Sequence, residues 1–244
     1  MNMKGNTVLI TGGTSGIGMA LAERFLADDN TVIICGRSEE RLLQTQEKLP
    51  GLHLIHCDVS EEEARLALFD RVRDTYSDMN ILINNAGIQQ RFKIMEASFA
   101  ECRQELATNL DAPIHLSILF APFLAGRENA HIVNVTSGLA FMPPIWAPVY
   151  GATKAGLHSF TFTMRAQLES EGVRVVEVIP PRVQTNLGGP SMQGAGVDLD
   201  AFADAVYAGF ARGDDEVGFE DNLRNRDRTR AEIEDGALAQ FRRT

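Results

Sequence analysis

Short apolar runs alternate with longer amphipathic stretches along this chain. Six runs rich in Val and Ile stand out: TVLIT (7–11), TVIIC (31–35), LHLIHC (52–57), NILIN (80–84), HIVNV (131–135) and VRVVEVI (173–179). Near-continuous apolar runs of this length suit strands buried on both faces, as in a parallel sheet. EVGF (216–219) predicts a short last strand. Helical patterns lie between the runs. Ile17, Leu21 and Phe25 recur every four residues. The stretch SEEEARLALFDRVRDTY opens with Ser60 and Glu63 spaced as a capping box, and continues with Leu66, Phe69 and Val72 at helical spacing. Strand and helix in strict alternation predict an α/β fold, a doubly wound parallel sheet of about seven strands with helices on both faces. No repeat, low-complexity tract or long linker divides the chain. One domain is expected to fill residues 1–244, with the stretch from Glu220 as its tail.

Composition narrows the function classes. The net charge of −10 leaves no sustained basic field for a nucleic-acid backbone, although a local site can still hold a small anion. The tail differs, with six Arg against six Asp and Glu, and reads as a solvated helix or as a surface docked on another subunit. Cys35, Cys57 and Cys102 are odd in number and lack metal-ligand spacing, so they read as reduced core residues. The five histidines are scattered and no metal site is expected. No apolar run reaches the roughly 18 residues of a membrane span, and the N-terminus leads straight into a strand. The expectation is a soluble cytoplasmic protein without membrane or nucleic-acid partners.

Two motifs carry chemistry. The first strand runs into TGGTSGIG, where Gly12, Gly16 and Gly18 are spaced G-x-x-x-G-x-G. Gly12 permits a tight turn, Gly16 permits close approach by a pyrophosphate, and Gly18 lets the next helix pack near the strand. The helix N-terminus favours the anion. The spacing is neither G-x-G-x-x-G nor a P-loop. The second motif, YGATK, puts Tyr150 and Lys154 four apart, hence on one face of a helix. A free tyrosine has a pKa of about 10, and a neighbouring ammonium favours its phenolate. A lowering of about 2–3 units takes roughly 3–4 kcal/mol of differential interaction.

With NNAG (84–87), NVTS (134–137) and Asn109 in ATNLDA, these motifs resemble the short-chain dehydrogenase/reductase family, single-domain branch, over residues 7 to about 185. The stretch from Ile10 to Leu42 also resembles a bacterial subgroup named for the teichoic-acid D-alanylation operon. The resemblance implies a Rossmann-like fold and a catalytic tetrad of Asn109, Ser137, Tyr150 and Lys154. Tyr150 is then general acid or base, Lys154 tunes it and holds the nicotinamide ribose, and Ser137 bonds the substrate oxygen. Asn109 supports a water leading from Lys154 to solvent. The dinucleotide is held by Gly12, Thr14, Ser15, Gly16, Ile17 and Gly18 of the turn. Asp58 and Val59 take the adenine, and Asn85, Ala86 and Gly87 the adenosine ribose. Val183 and Thr185 complete the nicotinamide side. One motif departs: PPRVQT has Pro181 where the family usually has Gly, which puts the path of that loop in question. The family typically pairs the helices carrying Asn109 and Tyr150 across a two-fold axis, so a homodimer or homotetramer is expected. Gly151, Ala152, Ala155, Gly156 and Ser159 are small enough for that approach.

Cofactor choice and substrate follow less directly. Where NAD enzymes of this fold place an acid, the second strand ends in Gly36, followed by Arg37 and Ser38. A guanidinium and a hydroxyl suit a 2′-phosphate, so NADP(H) is expected over NAD(H). Alternatively, Ser38 caps the next helix and Arg37 points into water. LGGPSMQGAG (187–196) reads as a lid, with the next clear helix reached only near Asp204. Leu139, Phe141, Met142, Ile145, Trp146, Gln89, Gln90, Leu187 and Met192 are candidate substrate walls. The expected activity is reduction of a small ketone or aldehyde, or the reverse. Alternatives are a ketoacyl-thioester reductase, with Arg127, Arg165 and Arg174 as an acidic-carrier patch, and a non-catalytic dinucleotide sensor.

Overall fold

The computed structural model describes residues 1–91, 93–189, 196–219, 223 and 226–241. Seven strands form one parallel sheet in the order β3-β2-β1-β4-β5-β6-β7. They are β1 (Thr7–Thr11), β2 (Thr31–Gly36), β3 (His53–His56), β4 (Ile81–Asn84), β5 (His131–Val135), β6 (Arg174–Ile179) and β7 (Glu216–Gly218). The helices are α1 (Gly16–Ala27), α2 (Glu39–Lys48), α3 (Glu62–Thr75), α4 (Phe99–Leu106), α5 (Ala112–Leu124), α6 (Pro148–Leu168), α7 (Leu199–Arg212) and α8 (Arg230–Phe241). A five-residue π turn, Ala107–Asp111, joins α4 to α5.

Side chains alternate across each strand, and the two sets build two cores. Val8, Ile10, Val32, Ile34, Val133 and Val178 pack with Leu21 and Phe25 of α1 and Phe202 and Phe210 of α7. Leu9, Ile33, Leu82, Ile132 and Val175 pack with Leu68 and Val72 of α3, Leu116 and Phe120 of α5 and Met164 of α6. The apolar runs are therefore continuous because both faces are covered. β3 is the exception: it is one of the two edge strands, and His53 and His56 are exposed. The order reverses at β1, which lies between β2 and β4, and such a switch point opens a crevice at the C-terminal strand ends.

Local details differ from expectation in four places. The Ser60–Glu63 capping box does not form. Ser60 instead donates through N and Oγ to Asp58 Oδ1, at 3.0 and 2.8 Å, and α3 starts after Glu61. Leu66 faces solvent and Arg65 takes the buried position, its Nη1 donating to Val59 O at 2.7 Å. α7 begins at Leu199 rather than near Asp204, because Asp198 accepts from the amides of Asp200 and Ala201. Cys35 and Cys57 are core residues, whereas Cys102 is only half-buried; all three are free thiols.

One buried acid shapes the middle of the sheet. Glu177 of β6 is fully buried and accepts from Thr136 Oγ1 at 2.6 Å and from His158 Nδ1 at 2.9 Å. Glu177 raises the pKa of His158 above its ordinary value of about 6.5. A raised folded-state pKa adds stability below the unfolded value and loses it as pH climbs through the folded value. The stability advantage of wild type over His158→Gln is therefore expected to be largest below pH about 6.5 and to shrink as the pH is raised. Denaturant unfolding of both proteins between pH 5.5 and 9 (roughly the window of histidine titration) measures it.

Candidate active site

The crevice is built at the ends of β1 and β4. Gly12 and Gly16 have φ of +66° and +53°, the left-handed region that favours glycine. A Cβ on Gly12 would lie 2.8 Å from Ala86 Cα, and one on Gly18 2.6 Å from Gly12 O. The turn is thus pressed against the loop after β4. Asn85 fastens the two, donating to Thr11 O at 2.9 Å and Gly12 O at 3.2 Å, while Thr11 Oγ1 accepts from the amides of Asn85 and Ala86. Ser15 stands at the N-cap of α1 without a side-chain cap bond, and the first turn of α1 carries no acid. Its amide end remains open to an anion. Gly13 is equally constrained, since a Cβ there would strike Ile34 Cγ2 at 2.4 Å. Only packing across the β1–β2 ladder reveals that requirement.

The residues expected at the adenosine end lie beyond β2 and β3. Gly36 stacks on Thr14, and the exposed Arg37 follows. Ser38 caps α2, its Oγ accepting from the Arg41 amide at 3.3 Å. Asp58 is half-buried and Val59 buried at the end of β3. His56 Nε2 lies 3.1 Å from Arg37 O, tying these two strand ends together.

The reactive end lies beyond β5 and β6. Ser137, Tyr150 and Lys154 are buried together, with Tyr150 and Lys154 only 5% and 4% exposed. Ser137 Oγ accepts from Leu139 N at 3.1 Å, and its side chain lowers the pKa of the neighbouring Tyr150. Lys154 Nζ donates to Val135 O at 2.8 Å and lies 5.8 Å from the Tyr150 ring centroid. Asn109 sits in the π turn, where the widened backbone aims its amide across to another loop. It accepts from Ile88 N at 2.9 Å and donates to Ile88 O at 2.8 Å. Gly87 lies between: a Cβ there would be 3.4 Å from Asn109 Oδ1 and 3.7 Å from Lys154 Nζ. Below, Asn84 Nδ2 donates to Asn134 Oδ1, and Asn134 Nδ2 to Thr161 Oγ1, both at 2.9 Å, pinning β4, β5 and α6.

Pro181 leaves the last loop on a defined course. Gly138 N donates to Pro180 O, and Val183 forms a parallel bridge with Val197. Thr185 then comes over the glycine turn, its Cγ2 3.3 Å from where a Gly16 Cβ would be. Of the lid stretch, residues 190–195, including Met192, fall outside the described residues. Phe141 packs on the His158 ring at 4.6 Å, and Arg91 lies over the Trp146 ring at 4.4 Å. Met142 meets α8, where a Cβ on Gly236 would lie 2.7 Å from its Cε. The C-terminal helix therefore reaches the Met142 loop of its own chain. The suggested carrier patch does not gather beside the site. Arg174 opens β6 at the opposite strand ends and binds Asp215, Arg165 binds Val175 O and Asp215 O, and Arg127 binds Phe123 O and Ser77 O.

A family model described as short chain dehydrogenase matches residues 6–195. The chain belongs to this family. It is 44% identical over 242 residues to the uncharacterized oxidoreductase DltE of Bacillus subtilis (strain 168), covering 96% of each chain. It is 33% identical over 205 residues to sulfoacetaldehyde reductase 2 of Chromohalobacter salexigens, covering 82% of this chain and 80% of that one. Among solved structures it resembles a short-chain dehydrogenase from Sphingobium yanoikuyae in complex with NADPH, with a TM-score of 0.81 at 27% identity over 87% of each chain.

Within this short-chain dehydrogenase, burial dominates the electrostatics. It pushes Tyr150 up to about 12, against a smaller lowering by the Ser137 hydrogen bond. It pulls Lys154 down to about 8. The expected lowering of Tyr150 is therefore not found in the free protein, where burial disfavours the phenolate. Sequence reasoning missed one further group. Glu105 of α4 is fully buried one helical turn before Asn109, and its Oε1 accepts from Gln90 N at 3.1 Å. Its Oε2 has no hydrogen-bond partner among the described residues. Leaving such an oxygen dry costs about 1–3 kcal/mol or more. In sequence Glu105 is one acid in the polar run ECRQE and carries no signal that separates it from a solvated one.

Proposed function

We propose that this protein is an NADP(H)-dependent oxidoreductase of the cytoplasm, in which one domain moves a hydride between the nicotinamide and a small carbonyl or alcohol compound. The observation that carries this reading is the buried Ser137–Tyr150–Lys154 cluster, with Lys154 held on Val135 O. The glycine cradle, which Cβ atoms would fill, and the uncapped start of α1 fit a pyrophosphate. In this reading Gly12, Thr14, Ser15, Gly16, Ile17 and Gly18 hold the pyrophosphate. Asp58 and Val59 hold the adenine, Asn85, Ala86 and Gly87 its ribose, and Val183, Thr185 and Lys154 the nicotinamide half. When bound, the nicotinamide supplies or accepts the hydride and adds positive charge.

The chain's own side chains handle the proton. In reduction, Ser137 donates a hydrogen bond to the substrate oxygen and Tyr150 passes its proton there as negative charge develops. In oxidation, Tyr150 takes that proton back. Lys154, held on Val135 O, favours the phenolate left behind. Asn109 keeps Ile88 and Gly87 in place beside it. The relative named sulfoacetaldehyde reductase supports a carbonyl substrate. Tyr150→Phe is expected to lower turnover by roughly 10²-fold or more with little change in dinucleotide affinity, and Lys154→Met to impair both. Kinetics on a panel of ketones and aldehydes, with cofactor titration by fluorescence, decide this. Most of the activity surviving in Tyr150→Phe would refute the assignment.

Arg37 supports the choice of NADP(H). Ser38 has its hydroxyl on the α2 amide, so the guanidinium is the main group left to grip a 2′-phosphate. The NADPH bound by the Sphingobium relative agrees. NADPH is expected to bind more tightly than NADH by roughly 1.5–3 kcal/mol, and Arg37→Ala to erase most of that difference. Equal affinities in wild type would remove Arg37 from the role.

A homodimer or homotetramer is proposed from the faces of α5 and α6, where Ile118 and Phe162 are 61% and 63% exposed. Sedimentation at micromolar concentration is expected to give two or four times the chain mass. A monomer contradicts it.

A further inference from the structure

Glu105 is unusual because a neutral residue would do its visible work. It joins the helix before Asn109 to the loop after β4 by accepting one hydrogen bond from Gln90 N. A glutamine would accept that bond without burying a charge, and buried charges are avoided unless something nearby compensates them. The compensating group is in place. Glu105 holds the loop that runs past Lys154, where a Cβ on Gly87 would lie 3.7 Å from Nζ. Burial raises the pKa of Glu105 and lowers that of Lys154, and each group offsets part of the other's shift. The spare oxygen of Glu105 is fully dry and unpartnered among the described residues, so it is not spent on holding the fold.

We propose that Glu105 is a positioning residue for the reaction: a buried carboxylate that keeps Lys154 charged and so sets the pH range over which the Tyr150–Lys154 pair works. The proposal rests on reading those two residues as the acid–base pair. The groups facing this site come from several elements. α6 contributes Lys154 and Tyr150, the end of β5 contributes Ser137, the loop after β4 the Gln90 amide, and the π turn the Asn109 amide. Within this set Glu105 is the negative charge and Lys154 the positive one, so the pair is neutral overall. Glu105 also raises Tyr150, which keeps the phenol protonated until a substrate oxygen needs the proton. Asn109 and Glu105, four apart on successive turns, hold Ile88 and Gln90 of the same loop. One helix end thereby sets both the shape of that loop and the charge behind it.

Glu105→Gln separates the two roles, because the amide oxygen keeps the Gln90 bond while the charge is lost. Lysine side-chain NMR on protein labelled at Cε, with Lys154 assigned by its absence in Lys154→Met, reads the titration directly and needs no cofactor. Lys154 is expected to titrate about one pH unit or more lower in Glu105→Gln than in wild type. Glu105→Asp, which keeps the charge, is expected to recover most of that shift and serves if the glutamine variant folds poorly. In steady-state reduction, the high-pH limb of the kcat/KM profile is expected to move down with the Lys154 midpoint. An unchanged Lys154 midpoint in Glu105→Gln, with or without loss of activity, would make Glu105 a loop clamp only and overturn the proposal. It would leave the role of Tyr150 to be judged by Tyr150→Phe.

Discussion

An ammonium group almost wholly withdrawn from water must be held by acceptors, and much of this site is arranged around doing so at Lys154. Burial pulls its pKa down to about 8, and the Glu105 carboxylate opposes that fall. The Val135 carbonyl at the end of β5 takes one of its protons. Glu105 supplies opposing charge from α4. Gly87 leaves the space that brings the β4 loop alongside. These contacts require β4, β5, α4 and α6 to end at one place. That is what a parallel sheet with right-handed crossovers provides at its C-terminal edge.

The same withdrawal from water works against Tyr150. Desolvation raises it well above a free phenol, and the Ser137 hydrogen bond recovers only part of that. The free site is therefore a store for a proton. It favours a neutral phenol beside a lysine that is charged near neutral pH. In the proposed reaction, negative charge developing on the substrate oxygen and positive charge on the nicotinamide both appear in this dry region. Interactions there are stronger than in water because less solvent screens them.

Much of this was legible in the sequence, for reasons that differ element by element. The buried strands announced themselves because both faces are covered, which erases alternation; β3, with exposed His53 and His56, shows what the rule misses at an edge. Tyr150 and Lys154 were readable because four residues of helix are a fixed geometry, and the glycines because close backbone approach admits little else. The Ser60 cap was misread because a hydroxyl two residues after an aspartate has a competing acceptor, and Asp58 won. Glu105 and the contact of α8 with Met142 were invisible because burial by distant segments leaves no local pattern.

Burial, more than the neighbouring ammonium, controls Tyr150 in the free protein. Ultraviolet difference titration of the unliganded protein against Tyr150→Phe isolates the phenolate of that residue. No extra phenolate is expected in wild type through pH 10, with Tyr150 ionising only at about 12. A Tyr150 phenolate appearing below pH 10 without cofactor would contradict it.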